Sequence, residues 1–208
     1  MHKQSSTAIQ SAVQPFIDGM KEQMRRNARM TEAEIDAAIS SCSVRWYPKG
    51  TVLLREGQVA TMSYFVFKGC VREYYLKDGE EVVSEFYTEG DSFSSDISKI
   101  NRTPARHYWE CTEDVILSLF SYENEKEMFR RFPRLESLCR INGETELGKL
   151  REKMAFFAAS TAEERYLNLL ENRPDLLDRV PQYQLASYLG IKPESLSRIR
   201  ARLRLQEV

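Results

Sequence analysis

The sequence predicts an α+β protein in which an N-terminal β jelly roll is joined by one long helix to a C-terminal helix-turn-helix module. Three observations predict it. Short runs rich in Val, Phe and Tyr, punctuated by Gly50, Gly57, Gly69, Gly79 and Gly90, give residues 45–120 a strand rhythm. Apolar residues then recur mostly at helical spacing from Leu135 to Phe157. Last, two short helical patterns meet at Gly190, and the second is rich in arginine.

Residues 1–30 read as a helical lead-in: Ile9, Val13, Phe16, Ile17 and Met20 share a helical face, and the basic stretch from Lys21 to Arg29 is its solvated end. Residues 31–132 form the roll. Its first element is a short helix with Thr31 as cap and Glu34 as box partner, and Ile35 and Ile39 on one face. Further on, Lys77-Asp-Gly-Glu80 separates Val71-Arg-Glu-Tyr-Tyr-Leu76 from Val82-Val-Ser-Glu-Phe-Tyr87. Asp-Gly tolerates the positive φ of a tight turn, so these runs pair antiparallel. Val115-Ile-Leu-Ser-Leu-Phe120 closes the series as a largely buried strand.

Residues 133–158 form the long helix, with Pro133 suited to its first turn. At about 1.5 Å per residue it reaches on the order of 35 Å, longer than covering a small sandwich requires, so it joins domains or chains. Leu138, Ile141, Leu147, Leu150, Met154 and Phe157 are the expected seam of a homodimer, interrupted by Asn142-Gly-Glu-Thr-Glu146. Residues 159–208 make the C-terminal module. Thr161 and Glu164 form a second capping box, Asn172-Arg-Pro174 ends that helix, and the helix-turn-helix pair follows from Val180 to Leu203.

With 30 Lys and Arg against 31 Asp and Glu, the chain has no globally basic coat, so any polyanion site must be local. No stretch approaches the ~20 apolar residues of a membrane span, and Met1 to Gln14 has no signal-peptide core; a cytoplasmic protein without a membrane partner is expected. Cys42, Cys70, Cys111 and Cys139 lack ligand spacing and read as reduced packing residues. His2 and His107 are the sole histidines, too few for the metal centre of a β-roll enzyme. Nucleophile, metalloprotease and phosphate-loop motifs are absent, so no catalytic residue, metal or cofactor is expected.

Residues 181–208 nevertheless carry a net charge of +3, from Lys192, Arg198, Arg200, Arg202 and Arg204 against Glu194 and Glu207. Leu196, Ile199 and Leu203 form the apolar stripe of the second helix, which leaves Lys192, Glu194, Ser195, Ser197, Arg198, Arg200 and Arg202 to face outward. Arginine forks onto guanine O6 and N7, glutamate accepts from cytosine N4, and serine and lysine hold phosphate oxygens, a set suited to the major groove.

The order of β-roll, long helix and helix-turn-helix resembles the Crp/Fnr superfamily of bacterial transcription regulators, over residues 31–203. Glu194-Ser-Leu-Ser-Arg198 is similar to the recognition-helix signature of the Fnr-type branch, which implies Glu194, Ser197 and Arg198 as base readers. Tyr47-Pro-Lys-Gly50, Glu56-Gly57, Tyr64-Phe-Val-Phe-Lys-Gly69 and Gly90-Asp-Ser-Phe93 are similar to the glycine framework of the cyclic-nucleotide-binding fold. The resemblance thus implies a cyclic-nucleotide-binding-like roll, a homodimer, a pseudo-palindromic DNA operator and, in such regulators, RNA polymerase as a further partner.

Family members that bind cyclic AMP use Gly-Glu-Leu and then Arg-Ser-Ala. Here the matching residues are Ser95-Asp96-Ile97 and Arg106-His107-Tyr108. The carboxylate is shortened, and His107 adds bulk where a small hydroxyl would stand, so an effector pocket of Ser95, Asp96, Ile97, Arg106 and His107 is expected to take something other than cyclic AMP, or nothing. The superfamily usually continues into a two-stranded wing, whereas this chain stops at Val208; a module without the wing implies fewer phosphate contacts. The alternative is a ligand-binding module that acts through protein partners without DNA.

Overall fold

The computed structural model describes residues 6–206, so residues 1–5 of the lead-in and residues 207–208 of the C-terminal module lie outside the described residues. Helix α1, Ser6–Ala28, includes Pro15 in its interior. Its apolar face covers the roll from outside: Val13 packs with Phe67 and Ile116, and Phe16 stands edge-on 6.0 Å from both Phe65 and Phe67. The basic end is solvated, with Lys21 2.7 Å from Asp36 and Arg25 2.6 Å from Glu32 in exposed pairs that contribute little to stability. Helix α2, Glu32–Ser40, starts with the predicted capping box of Thr31 and Glu34.

Eight strands build the roll: β1 Ser43–Tyr47, β2 Val52–Leu54, β3 Met62–Lys68, β4 Val71–Lys77, β5 Glu80–Tyr87, β6 Ser92–Ser94, β7 Tyr108–Cys111 and β8 Val115–Ser121. They form two four-stranded antiparallel sheets, ordered β1-β8-β3-β6 and β2-β7-β4-β5, with helix α3, Asp96–Asn101, between β6 and β7. Alternate residues point to opposite faces. Tyr64, Val66, Val71, Phe93, Trp109 and Leu117 therefore meet inside the roll, while Tyr74 and Tyr108 leave on the other face of the second sheet. The hairpin is as expected: Lys77 opposes Glu80, and Asp78 and Gly79 take φ of 54° and 83°. Gly69 is required by space, since a Cβ there would lie 2.6 Å from the Asp114 carbonyl oxygen.

Helix α4, Tyr122–Arg131, leads into α5, Pro133–Ala159, a 27-residue helix of about 40 Å with proline in its first turn. The polar stretch 142–146 does not break it; Thr145 turns its hydroxyl back onto the Ile141 carbonyl at 2.9 Å. The expected seam needs one correction. Leu138 is only 6% exposed and packs with Ile35, Phe132 and Leu135, so its burial is complete within one chain and it is no seam residue. Ile141, Leu147, Leu150, Met154 and Phe157 are exposed.

The C-terminal module comprises α6 Ala162–Asn172, α7 Leu176–Arg179, α8 Gln182–Tyr188 and α9 Pro193–Gln206. The Thr161–Glu164 box opens α6 as predicted. Leu169, Leu176, Leu185, Ala186, Leu189 and Leu196 form its core, and that core is continuous with Cys70, Tyr74, Val83 and Phe86 on the second sheet. Burying those rings in one shared cluster joins module to roll. Cys70 and Cys111 are buried free thiols, and burial pushes them up to about 11 and 12.

Candidate nucleic-acid interface

Between α8 and α9 the chain reverses within residues 189–192. Gly190 takes φ of 69°, its N–H bonds the Ser187 carbonyl at 2.9 Å, and the Ile191 N–H bonds the Ala186 carbonyl at 3.0 Å. These bonds close the end of α8 on a left-handed residue. The turn is crowded, because a Cβ on Gly190 would stand 3.0 Å from the Phe157 ring of α5. Phe157, expected in the seam, therefore also touches this module, and the Arg165 guanidinium stacks 4.2 Å from its ring centroid.

Pro193 begins α9, where its missing N–H has no partner to lose. Leu196 and Ile199 anchor the helix in the core, Leu203 packs at its margin, and the opposite face is open. Lys192, Glu194, Ser197, Arg198 and Arg202 are exposed, while Ser195 and Arg200 are half-buried. Among the described residues Lys192, Glu194, Arg198 and Arg200 form no ion pair, whereas Arg202 is paired with Glu163 of α6. Glu194, Ser197 and Arg198 thus lie along one exposed stretch of helix, with Arg202 partly held by its neighbour.

The five expected effector-pocket residues differ in their surroundings. Ser95 is buried as the residue preceding α3, Ile97 is 78% exposed, and Arg106 is exposed. Asp96 faces Lys99 at 3.5 Å, and no ion pair joins it to Arg106. His107 is half-buried beside the roll, where Nε2 lies 3.9 Å from Glu73 Oε2 and the ring centroid is 5.1 Å from that of Trp109. Helix α3 carries Asp96 and Ile97 on its exposed face.

What occupies the interior instead is a carboxylate that sequence reasoning missed. Glu73 of β4 accepts Trp109 Nε1–H at 2.9 Å, the Tyr87 hydroxyl at 3.1 Å and the Ser84 hydroxyl at 2.9 Å. Burial and this carboxylate push the Tyr87 hydroxyl well above the usual tyrosine range, so it stays a donor. The period-two face shared by Val71, Glu73 and Tyr75 was the available signal, since Val71 belongs to the core.

Fold and geometry together define a class: a two-sheet β-roll carrying through one long helix a helix-turn-helix with an open basic face. The comparisons with known proteins narrow this. Residues 44–132 match the family model of the cyclic nucleotide-binding domain, and the structural neighbours of the chain include Crp/Fnr-family transcription regulators. The c-di-GMP responsive global regulator CLP of Xanthomonas campestris is 19% identical, with a TM-score of 0.67 over 85% of this chain and 93% of that one. FixK2 of Bradyrhizobium japonicum is 23% identical at a TM-score of 0.63, covering 80% and 86%. A regulatory protein from Silicibacter pomeroyi DSS-3 is 26% identical at a TM-score of 0.58, covering 88% of each chain. No curated protein matches the chain in sequence.

Proposed function

We propose that the protein is a homodimeric, sequence-specific DNA-binding transcription regulator of the Crp/Fnr type, acting in the cytoplasm and catalysing no reaction. One observation carries the reading: α9 is anchored by Leu196 and Ile199 and leaves Glu194, Ser197 and Arg198 exposed, with neither charged reader in an ion pair among the described residues. Such side chains are available to base-pair edges, with Lys192 and the other arginines positioned for phosphates. The exposed apolar side chains of Ile141, Leu147, Leu150, Met154 and Phe157 support a second copy across α5. Two-fold symmetry then implies a pseudo-palindromic operator with half-sites about 34–36 Å apart.

The replacement of the small residues of the cyclic-AMP motifs by Ser95-Asp96-Ile97 and His107 supports an effector other than cyclic AMP. Selection of genomic fragments by the purified protein tests the function. Enrichment of a palindrome supports it; no enrichment, with or without cell extract, favours a module acting through protein partners.

A further inference from the structure

Strand β5 lies at the edge of its sheet, and an edge strand leaves outward backbone groups without a sheet partner. Here they have one. The Ser187 hydroxyl on α8 accepts the Val83 N–H at 2.9 Å and donates to the Glu81 carbonyl at 3.2 Å, so one side chain bridges two groups that an added strand would pair. The next residue continues the docking: Tyr188 donates its hydroxyl to Glu85 Oε1 at 3.3 Å, and its ring stands edge-on 5.3 Å from Phe86. The other Glu85 oxygen accepts from Lys153 of α5, whose ammonium lies 4.9 Å from the Tyr188 ring centroid. One strand therefore holds α8 and α5 at the same point.

This docking uses α8 and leaves the outer face of α9 open. Only Ser160 and Thr161 connect α5 to α6, so the orientation of the module is set by its contacts with the roll, of which this edge is one beside the shared apolar core and the Arg179 pairs. A dimer must present both recognition helices at groove spacing at once, and its apparent affinity falls by the fraction of modules that are misoriented.

We propose that the free edge of β5 is a docking rail that fixes the helix-turn-helix in its DNA-reading orientation, with Ser187 and Tyr188 as positioning residues. It rests on the functional reading above. The test uses the full-length protein, wild type and Ser187→Ala, with Glu85→Gln as a second variant that keeps an acceptor for Tyr188 and removes the charge facing Lys153. Amide hydrogen exchange at Val83 is read without DNA, because that N–H has no sheet partner and its protection reports docking. Affinity is then measured by fluorescence anisotropy on a selected operator and on a scrambled duplex. In Ser187→Ala, Val83 exchange accelerates at least about fivefold and operator affinity falls about fivefold, while the operator-to-scrambled ratio and the salt slope stay at wild-type values. Glu85→Gln shifts both readouts in the same direction.

Unchanged Val83 exchange in both variants overturns the rail. Faster exchange with unchanged or tighter operator binding overturns the positioning role. If the wild type binds no DNA, that role falls together with the functional reading, and Val83 exchange still tells this apart from failure of the rail alone.

Discussion

The ring of Phe157, in the last turns of α5, lies 3.0 Å from the point where a β-carbon on Gly190 would stand, so the end of the long helix meets the turn of the helix-turn-helix. Gly190 also has φ of 69°, a region costly to residues with a β-carbon. Gly190→Ala should lose about 1–2 kcal/mol of stability. Phe157→Leu relieves the crowding but not the backbone strain, so the double variant should lose less than the sum of the singles. Urea unfolding of the four proteins checks this, and strict additivity would refute the contact.

Arg198 and Arg202 lie one helical turn apart and differ in company. Arg198 is unpaired among the described residues, and Arg202 is held by Glu163. On a selected operator, Arg198→Ala should cost about 1–3 kcal/mol and relax base preference. Arg202→Ala should weaken all duplexes alike and by less, because its charge is already shared. Binding isotherms on the operator and single-base variants decide it; equal behaviour of the two variants would remove Arg198 as a reader.

Leu150 is half exposed on α5 beside Leu147 and Met154. Leu150→Glu puts a charge into the expected seam, where desolvating it is unfavourable. Sedimentation velocity should show a dimer become a monomer with unchanged circular dichroism. A wild-type monomer would end the two-fold operator model.

Glu73 satisfies the Trp109 indole and the Tyr87 hydroxyl inside the roll. Glu73→Ala leaves these buried donors unpaired and should cost about 2–4 kcal/mol, whereas Glu73→Gln keeps an acceptor and should cost less. Cyclic AMP should leave the wild-type thermal midpoint unmoved. A saturable rise in that midpoint would show that the roll opens to the nucleotide.

Arg179 of α7 pairs with Glu89 at 2.8 Å and with Glu113, tying the C-terminal module to the roll. Burial works to raise the Glu89 carboxyl, but the Arg179 guanidinium and the Gly69 N–H overcome it and hold the carboxyl below its ordinary value of 4.5. A depressed folded-state pKa stabilises the protein above the unfolded value and loses that contribution as pH falls through the folded value. Glu89→Gln should therefore be less stable than wild type near neutral pH, with the gap closing below about pH 4. A gap that persists or widens in acid would contradict the ion pair.

Much of this molecule was legible because its signals are local. The boxes at Thr31 and Thr161, the Asp78-Gly79 turn and the proline openings of α5 and α9 depend on residues within a few positions of one another, so spacing alone exposes them. The open face of α9 follows from the Leu196–Ile199–Leu203 stripe for the same reason. Leu138 shows the limit: it continues the apolar pattern of α5, but whether it is covered by its own chain or by another depends on where α2 lies.

By itself, the sequence determined the order of elements, the turn and antiparallel pairing of the β4–β5 hairpin and the chemistry carried on the last helix. Only the tertiary structure decided that Glu73 would accept from Trp109 and Tyr87 and that Ser187 would meet the edge of β5. The physical reason is distance along the chain. Trp109 comes to Glu73, and Ser187 to Val83, through sheet pairing and shared apolar burial, and neither leaves a repeat or motif for the sequence to display.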